Sequence, residues 1–371
     1  MRRLVLVGAG HAHARVLLDF ARRPVPDVEI VLVSPVALAP YSGMVPGWLA
    51  GHYAWEECCI DFVSLCRRAE AALRPNAVVA LDPAQRVLLL SDGECIPYDW
   101  LSIDIGATLT PPKAERMALL PVRPLSALQM RWDALLDEIR TLPPDTAYRV
   151  AVVGGGAAGV ESMLAMHRRF TGLAPQVKFQ FTLATQGNEL LPGMAEGAVR
   201  RLAGHLARRG IEVLHGFSAD HVDGTHIVGE DGRTIPADAA LWATGAQAYR
   251  WPRQSGLQVD ERGFIRVDAY LQSTSHPNVF AAGDCAGWCK PLPKAGVFAV
   301  RMGPVLSRNL RAAIDGAWLK AYRPQRRYLV LIGTGDEHAV AVRGGLSAEG
   351  GWAWRWKQAI DRRFLGRYNG E

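Results

Sequence analysis

Long apolar runs are missing from this sequence. No stretch approaches the ~18 consecutive apolar residues that span a bilayer, which excludes a helical integral membrane protein. Met1-Arg2-Arg3 leads straight into a strand-like run with no signal-peptide pattern, so a cytoplasmic location is expected. Cysteine is scarce, six in 371 residues, which excludes a disulfide scaffold. No HxxxH, CxxC or HExxH spacing occurs, and no metal site is expected. Acidic residues are outnumbered, 36 against 42 Lys and Arg, for a formal net charge of +6. That excess suits an anionic cofactor or membrane surface but is too small to point to nucleic acid. A mainly disordered chain is excluded by 49% hydrophobic and 21% charged residues. At about 150 residues per domain, the length suggests two to three domains.

Glycine is in excess, 37 residues, and it is clustered. The apolar run Leu4-Val5-Leu6-Val7 reads as a buried parallel strand. Gly8-Ala9-Gly10 follows, and Ala12 to Phe20 has helical spacing. In this strand–turn–helix order the first glycine permits a tight turn. The second lets a pyrophosphate approach the helix N-terminus. The third fingerprint position carries His13, and His11 flanks the turn. These histidines are expected to pack and donate near phosphate. A second strand, Glu29 to Val33, ends at Ser34 where a ribose-binding carboxylate commonly stands, so a hydroxyl or backbone must serve there.

The pattern repeats about one domain later. Arg149 to Val153 reads as a strand, and Gly154, Gly156 and Gly159 complete the fingerprint before a helix running to Arg169. The next strand, Lys178 to Leu183, ends at Ala184-Thr185-Gln186-Gly187, again without a carboxylate. Two copies, each between a strand and a helix, are far stronger evidence than one. The fold class is therefore α/β with two Rossmann-like dinucleotide-binding domains.

Three further segments carry a resemblance. They are Asn278-Val279-Phe280-Ala281-Ala282-Gly283-Asp284, Leu241-Trp242-Ala243-Thr244-Gly245, and Ser102-Ile103-Asp104-Ile105-Gly106-Ala107. With the two fingerprints, in this order, the chain resembles the FAD/NAD(P)-binding pyridine nucleotide oxidoreductases. The branch it resembles most is that of type II NADH dehydrogenases and sulfide:quinone reductases. More narrowly, Pro40 to Gly47, Pro293 to Arg301 and Tyr322 to Arg327 look like the flavoprotein module fused ahead of selenide, water dikinase in some bacteria.

The resemblance implies FAD as cofactor and NADH or NADPH as substrate, with Asp284 on the FAD ribityl chain. It implies FAD contacts from Gly8, Gly10, His11, Ser34, Gly106, Gly283, Lys294 and Gly296, and nicotinamide-nucleotide contacts from Gly154, Gly156, Gly159, Glu161 and Gly245. Pro293-Lys294-Ala295-Gly296 resembles a segment that faces the flavin, where a lysine or a helix N-terminus stabilises the reduced ring. Lys294 is the candidate for that role, the alternative being a solvated lysine. Glu161 is either a nicotinamide neighbour or a helix-start acid. Aligned on Gly296 and Gly303, the chain has Val297, Arg301 and Met302 where the dehydrogenases carry quinone-site glutamines. Cys58, Cys59 and Cys66 lack redox-disulfide spacing, with Cys59 and Cys66 expected on one helix. Cys285 and Cys289 follow Asp284 and are candidates for a reversible disulfide or a sulfur or selenium site; structural thiols are the alternative.

Residues 1–110 and 251–320 read as two segments of an FAD domain, 111–250 as the NAD(P) domain, and 321–371 as a C-terminal region. Strands are expected at Tyr328 to Ile332 and Glu337 to Val342. Beyond them, Trp352, Trp356, Ile360 and Phe364 share one helical face, with Arg355, Lys357, Arg362, Arg363 and Arg367 largely elsewhere. This segment reads as a membrane-surface helix, as a helix docked on the protein's own core, or as a homodimer contact. The expected activity is NAD(P)H reduction of FAD, with electrons passed to a small-molecule acceptor such as a quinone. Oxidation of sulfide or selenide, and a flavin-bound docking role in a selenium pathway, are the alternatives. The expected location is cytoplasmic, or peripheral on the inner face of the cytoplasmic membrane.

Overall fold

The computed structural model describes residues 1–370. Strand Arg2–Val7 (β1) runs into helix His11–Arg22 (α1), followed by strands Val28–Val33 (β2), Ala72–Arg74 (β3) and Trp100–Ile103 (β4). Then come strand Ala118–Pro121 (β5), helix Leu125–Arg140 (α2), strand Ala147–Val153 (β6) and helix Ala157–Leu173 (α3). Strand Lys178–Ala184 (β7), helix Glu196–Arg208 (α4) and strands Glu212–Leu214 (β8) and Ala239–Trp242 (β9) complete this unit. Strand Val279–Ala281 (β10) precedes helix Gly296–Asp315 (α5). Strands Leu329–Gly333 (β11), Ala339–Arg343 (β12) and Leu346–Gly350 (β13) precede the last helix, Gly351–Asn369 (α6).

The apolar runs become the centres of two five-stranded sheets. The first has the order β10-β4-β1-β2-β3, the second β5-β9-β6-β7-β8, and their pairings are parallel. Leu4, Val5 and Leu6 are wholly buried because helices or other layers cover both faces. β10 joins the first sheet after the second sheet has been completed in sequence. Each sheet has an antiparallel three-stranded meander beside it, residues 78–97 and 219–236. The two crossings pair with each other: Thr108 and Gln247 exchange backbone hydrogen bonds of 2.8 and 2.9 Å.

α1 packs along α5, and the approach is close because Gly303 has no side chain. A Cβ there would lie 2.8 Å from Arg15 Cβ. The C-terminal region forms an antiparallel sheet, and β13 was not anticipated. α6 docks on the protein's own core through Ala353, Trp354, Lys357, Asp361, Phe364, Leu365 and Tyr368. The anticipated apolar face is thus split. Phe364 is buried and stacks on Tyr41 with centroids 4.3 Å apart, whereas Trp352, Trp356 and Ile360 are exposed. Cys59 lies in a short strand and Cys66 in the helix after it, so the two do not share a helix. Phe364→Ala would leave a cavity over Tyr41 and is expected to cost about 3 kcal/mol. A thermal unfolding midpoint unchanged from wild type would contradict that packing.

Candidate functional site

The glycine turns place two helix starts at the C-terminal ends of two sheets, where such folds bind ligands. Gly8 has φ +96°, and a Cβ on it would lie 2.5 Å from the Asp104 carbonyl oxygen. Gly154 has φ +131°, and its Cβ would strike the Ala243 carbonyl. Both positions need glycine on two counts, conformation and space. Gly159 lies so close to Gly154 that any side chain would collide with its carbonyl. Gly106 and Gly245 end the two equivalent crossings beyond β4 and β9, and no atom lies within 4 Å of a Cβ built on either.

Five chain segments converge beyond the first sheet. They are the α1 start with His11, the loop Tyr41–Gly43, the turn Gly283–Cys285, the α5 start at Gly296, and α6. A Cβ on Gly296 would lie 2.9 Å from Ser42 Oγ and 3.8 Å from His11 Cε1. The His11 ring meets Tyr41 and Phe364 edge-on, at 5.4 and 5.8 Å. Burial holds its pKa down at about 4, against the opposing pull of Asp284. Asp284 is paired with Arg123 at 2.6 Å, and the same guanidinium donates to the Lys294 carbonyl at 3.4 Å. Arg123, just past β5, was not singled out from the sequence, because nothing local links it to a residue 161 positions away.

Lys294 is neither solvated nor free. Its Nζ donates to the Ala286 carbonyl at 2.8 Å and lies over the Phe264 ring, 3.6 Å from its centroid. Burial lowers its pKa. Ser34 is buried and turned inward, its Oγ donating to the Val36 carbonyl at 2.8 Å. Cys285 is buried, and its thiol donates to the carbonyls of Ala282 and Ile103. Burial pushes it up to about 12, whereas a reactive thiol needs the opposite shift. Cys289 is exposed, and both are free thiols. The turn holding Cys285 ends there and a short strand follows, so the pair does not share a helical turn. No bond joins them in this structure.

Glu161 faces away from the glycine turn, toward the C-terminal region. The Gly333 amide donates to its Oε1 at 2.7 Å. Desolvation raises its pKa to about 7, against the Lys357 charge and the Gly333 amide. Lys357, 6% exposed, bonds Asp361 at 2.8 Å and also the Gly43 carbonyl. Burial alone would lower Lys357, but Glu161 and Asp361 together hold it raised. One cation thus faces two carboxylates. Burial raises Asp361 as well, so one cation leaves a proton shared within this pair of carboxylates, with Glu161 pushed up to about 7. Tyr41 bonds Asp361 as well, which ties the loop near His11 to this cluster. The signal in the sequence was Lys357 and Asp361 four apart, on the flank of α6 that adjoins the stripe read as apolar at Phe364.

The family model for pyridine nucleotide-disulphide oxidoreductases matches residues 2–303. The chain belongs to that family. It is 26% identical over 260 residues to the type II NADH:quinone oxidoreductase of Haemophilus influenzae. The match covers 62% of this chain and 59% of that protein, so the chain aligns with less than two thirds of that relative's length. In fold it is similar to the sulfide:quinone oxidoreductase of Aquifex aeolicus, with TM-score 0.81 at 17% identity over 100% of this chain and 92% of the other. It is also similar to NDH2 from Plasmodium falciparum, with TM-score 0.79 at 15% identity over 99% of each chain.

Membership makes this chain an oxidoreductase with FAD as cofactor and a pyridine nucleotide as its substrate. The first glycine turn fits FAD. Gly8 and Gly283 both have positive φ, and a Cβ at Gly8, Gly10 or Gly283 would collide with Asp104, which lies between α1 and the Asp284 turn. Asp104 departs from an ordinary cradle. Among the described residues, no group of three His, Cys, Asp or Glu is placed to hold a metal.

Proposed function

We propose that the protein oxidises NADH and passes the electrons to a quinone-type acceptor at a membrane surface. The observation that carries this reading is the Glu161–Lys357–Asp361 cluster, roofed by α6. Reduction of a quinone by NADH consumes a proton from the medium and delivers two to the acceptor. A group that holds a proton near neutrality without exposing it to bulk water suits that step. Oε1 of Glu161 is occupied by the Gly333 amide, so the proton is held on Oε2. Lys357 opposes the upward push of burial on the adjoining Asp361 and anchors α6 to Gly43. Glu161 lies on α3 and its charged partners on α6, so the proton is supplied from the seam between these helices, and the chain can dispense with the glutamines replaced by Val297, Arg301 and Met302.

The open start of α3 receives the nucleotide pyrophosphate on its backbone amides. FAD, when bound, supplies a two-electron store between the hydride donor and the acceptor. Neither Thr185 nor Gln186 offers the positive charge that a 2′-phosphate needs, and this favours NADH over NADPH. Lineage with the fused selenium module is not needed for this chemistry, and the buried Cys285 weakens a sulfur or selenium role.

Mixing with NADH in the absence of oxygen is expected to bleach the flavin, and a short-chain quinone to restore its colour. A flavin bleached by sulfide and not by NADH would overturn the donor. A reduced flavin that no quinone reoxidises would overturn the acceptor.

No helix among the described residues is long and apolar enough to cross a membrane. A surface contact is supported by Trp352 and Trp356, stacked 6.2 Å apart and exposed with Ile360, beside the exposed Arg355 and Arg363. Aromatic residues with basic neighbours are the make-up of a helix that lies on a bilayer. Wild-type protein is expected to float with phosphatidylglycerol-containing liposomes, and a variant with Trp352, Trp356 and Ile360 all replaced by Ser to stay behind. Wild-type protein remaining in the soluble fraction would rule out the contact.

A further inference from the structure

The two glycine turns provide an internal comparison. A Cβ on Gly8 would meet the Asp104 carbonyl, and one on Gly154 the Ala243 carbonyl. Asp104 therefore holds in the first sheet the place that Ala243 holds in the second. Beyond this pair the two sites differ. A Cβ on Gly156 would meet nothing within 4 Å, so the start of α3 is open. A Cβ on Gly10 would run into the Asp104 carboxylate, well inside 3.0 Å.

That carboxylate is 2% exposed, and its Oδ2 accepts from the amides of Ala12 at 2.8 Å and His13 at 3.1 Å. Its Oδ1 lies 2.5 Å from where a Gly283 Cβ would be. First-turn amides of this kind are the donors a dinucleotide pyrophosphate uses. Two further departures support the arrangement. His13, where the second turn has Gly159, is fully buried. Its Nδ1 lies 2.6 Å from the Gly8 carbonyl and its Nε2 2.9 Å from Ser102 Oγ. Ser102 and Asp104 are two apart on the same stretch of chain, so both project toward the same layer.

We propose that Asp104 is a built-in competitor of the FAD pyrophosphate, satisfying the α1 amides in the cofactor-free protein and weakening FAD retention when it is ionised. The inference rests on FAD being the cofactor and is independent of the electron acceptor. A carboxylate beside a diphosphate in a desolvated cradle sets like charges together, and either the ligand or the charge must yield.

The charge can yield near neutrality. Burial raises Asp104 to about 7, and Asp284 pushes the same way against the two amides. The other groups facing it are His11 and His13 on α1, Cys285 and the Arg123-paired Asp284 after β10, and Lys294 before α5. Burial keeps both histidines down at about 4 and Cys285 up at about 12, so none of these three changes charge near neutrality. FAD binding should therefore weaken as pH rises and Asp104 ionises.

The test is FAD affinity of the cofactor-stripped full chain, read by flavin fluorescence between about pH 6 and pH 8. The wild-type Kd is expected to rise over that range. Asp104→Asn keeps an acceptor for the amides and removes the charge. Its Kd is expected to be about tenfold lower than wild type at the upper pH and flat across the range. Asp104→Ala, which installs the residue found at position 243, should shift affinity in the same direction. Thermal midpoints of the stripped variants report whether they fold. A flat wild-type profile overturns the proposal without any variant. Folded Asp104→Asn that binds FAD no more tightly than wild type also overturns it.

Discussion

Glu161→Gln is expected to slow quinone turnover by roughly a hundredfold, a typical size for loss of a general acid, while the flavin is still bleached by NADH at close to the wild-type rate. The glutamine carbonyl can still accept from the Gly333 amide, so the link between α3 and β11 survives. What disappears is the proton. With the carboxyl raised to about 7, Glu161 is protonated below neutrality and loses its proton above it. Wild-type turnover with quinone should therefore decline above about pH 7, and the variant should show no such step. Stopped-flow kinetics separates the two halves. Equal loss in both would place Glu161 at the nicotinamide and remove it from proton delivery.

Gly154→Ala is expected to reduce the rate of flavin bleaching by NADH at least about a hundredfold, since displacements near 1 Å cost that much. The added methyl meets the Ala243 carbonyl and must sit at φ +131°, a backbone conformation that side chains rarely adopt. The turn must open, and the amides at the α3 start leave the position that receives the pyrophosphate. FAD content should hold, because the first sheet shares no strand with the second. A folded variant bleached at the wild-type rate would show that this turn does not position the nucleotide. Loss of FAD together with NADH reactivity would instead indicate that the two sites are not separable.

Both of these effects concern residues found by different routes. Gly154 was legible because its role is local: a strand, a turn and a helix leave a fixed spacing in the sequence. The same locality made the parallel strands readable, since each is a short apolar run, whereas the return of the chain to the first sheet was implied by the family resemblance. Glu161 was visible as a residue, but its partners were not. Gly333, Lys357 and Asp361 reach it only through the packing of α6, and no spacing rule connects residue 161 with 357. Arg123 and Asp284 are separated in the same way. Asp104 was readable in principle, by laying Ser102-Ile103-Asp104-Ile105-Gly106 over Leu241-Trp242-Ala243-Thr244-Gly245, yet only the carbonyls that Gly8 and Gly154 face fix which residue replaces which. The α6 face was misjudged because Lys357 and Asp361, two charges, occupy the buried side. Their mutual pairing makes burial affordable, and the aromatic stripe is displaced outward.

The late arrival of β10 bears on how the protein is made. During synthesis domains fold as they emerge, N-terminal units first, at about 5–20 residues per second. Here the order is inverted. The unit from β5 to β9 is continuous and can close as soon as Trp242 has left the ribosome. The sheet begun by Arg2 cannot close until Val279–Ala281 slots beside Trp100–Ile103. Asp284 follows only then, and the α6 roof later still. The nascent chain therefore holds an unfinished sheet edge at β4 for well over a hundred residues of translation, and the α1 amides spend that interval before the Asp284 side of the cofactor cradle has been made. Asp104, one residue past β4, is by then already made and is an anion that can reach them.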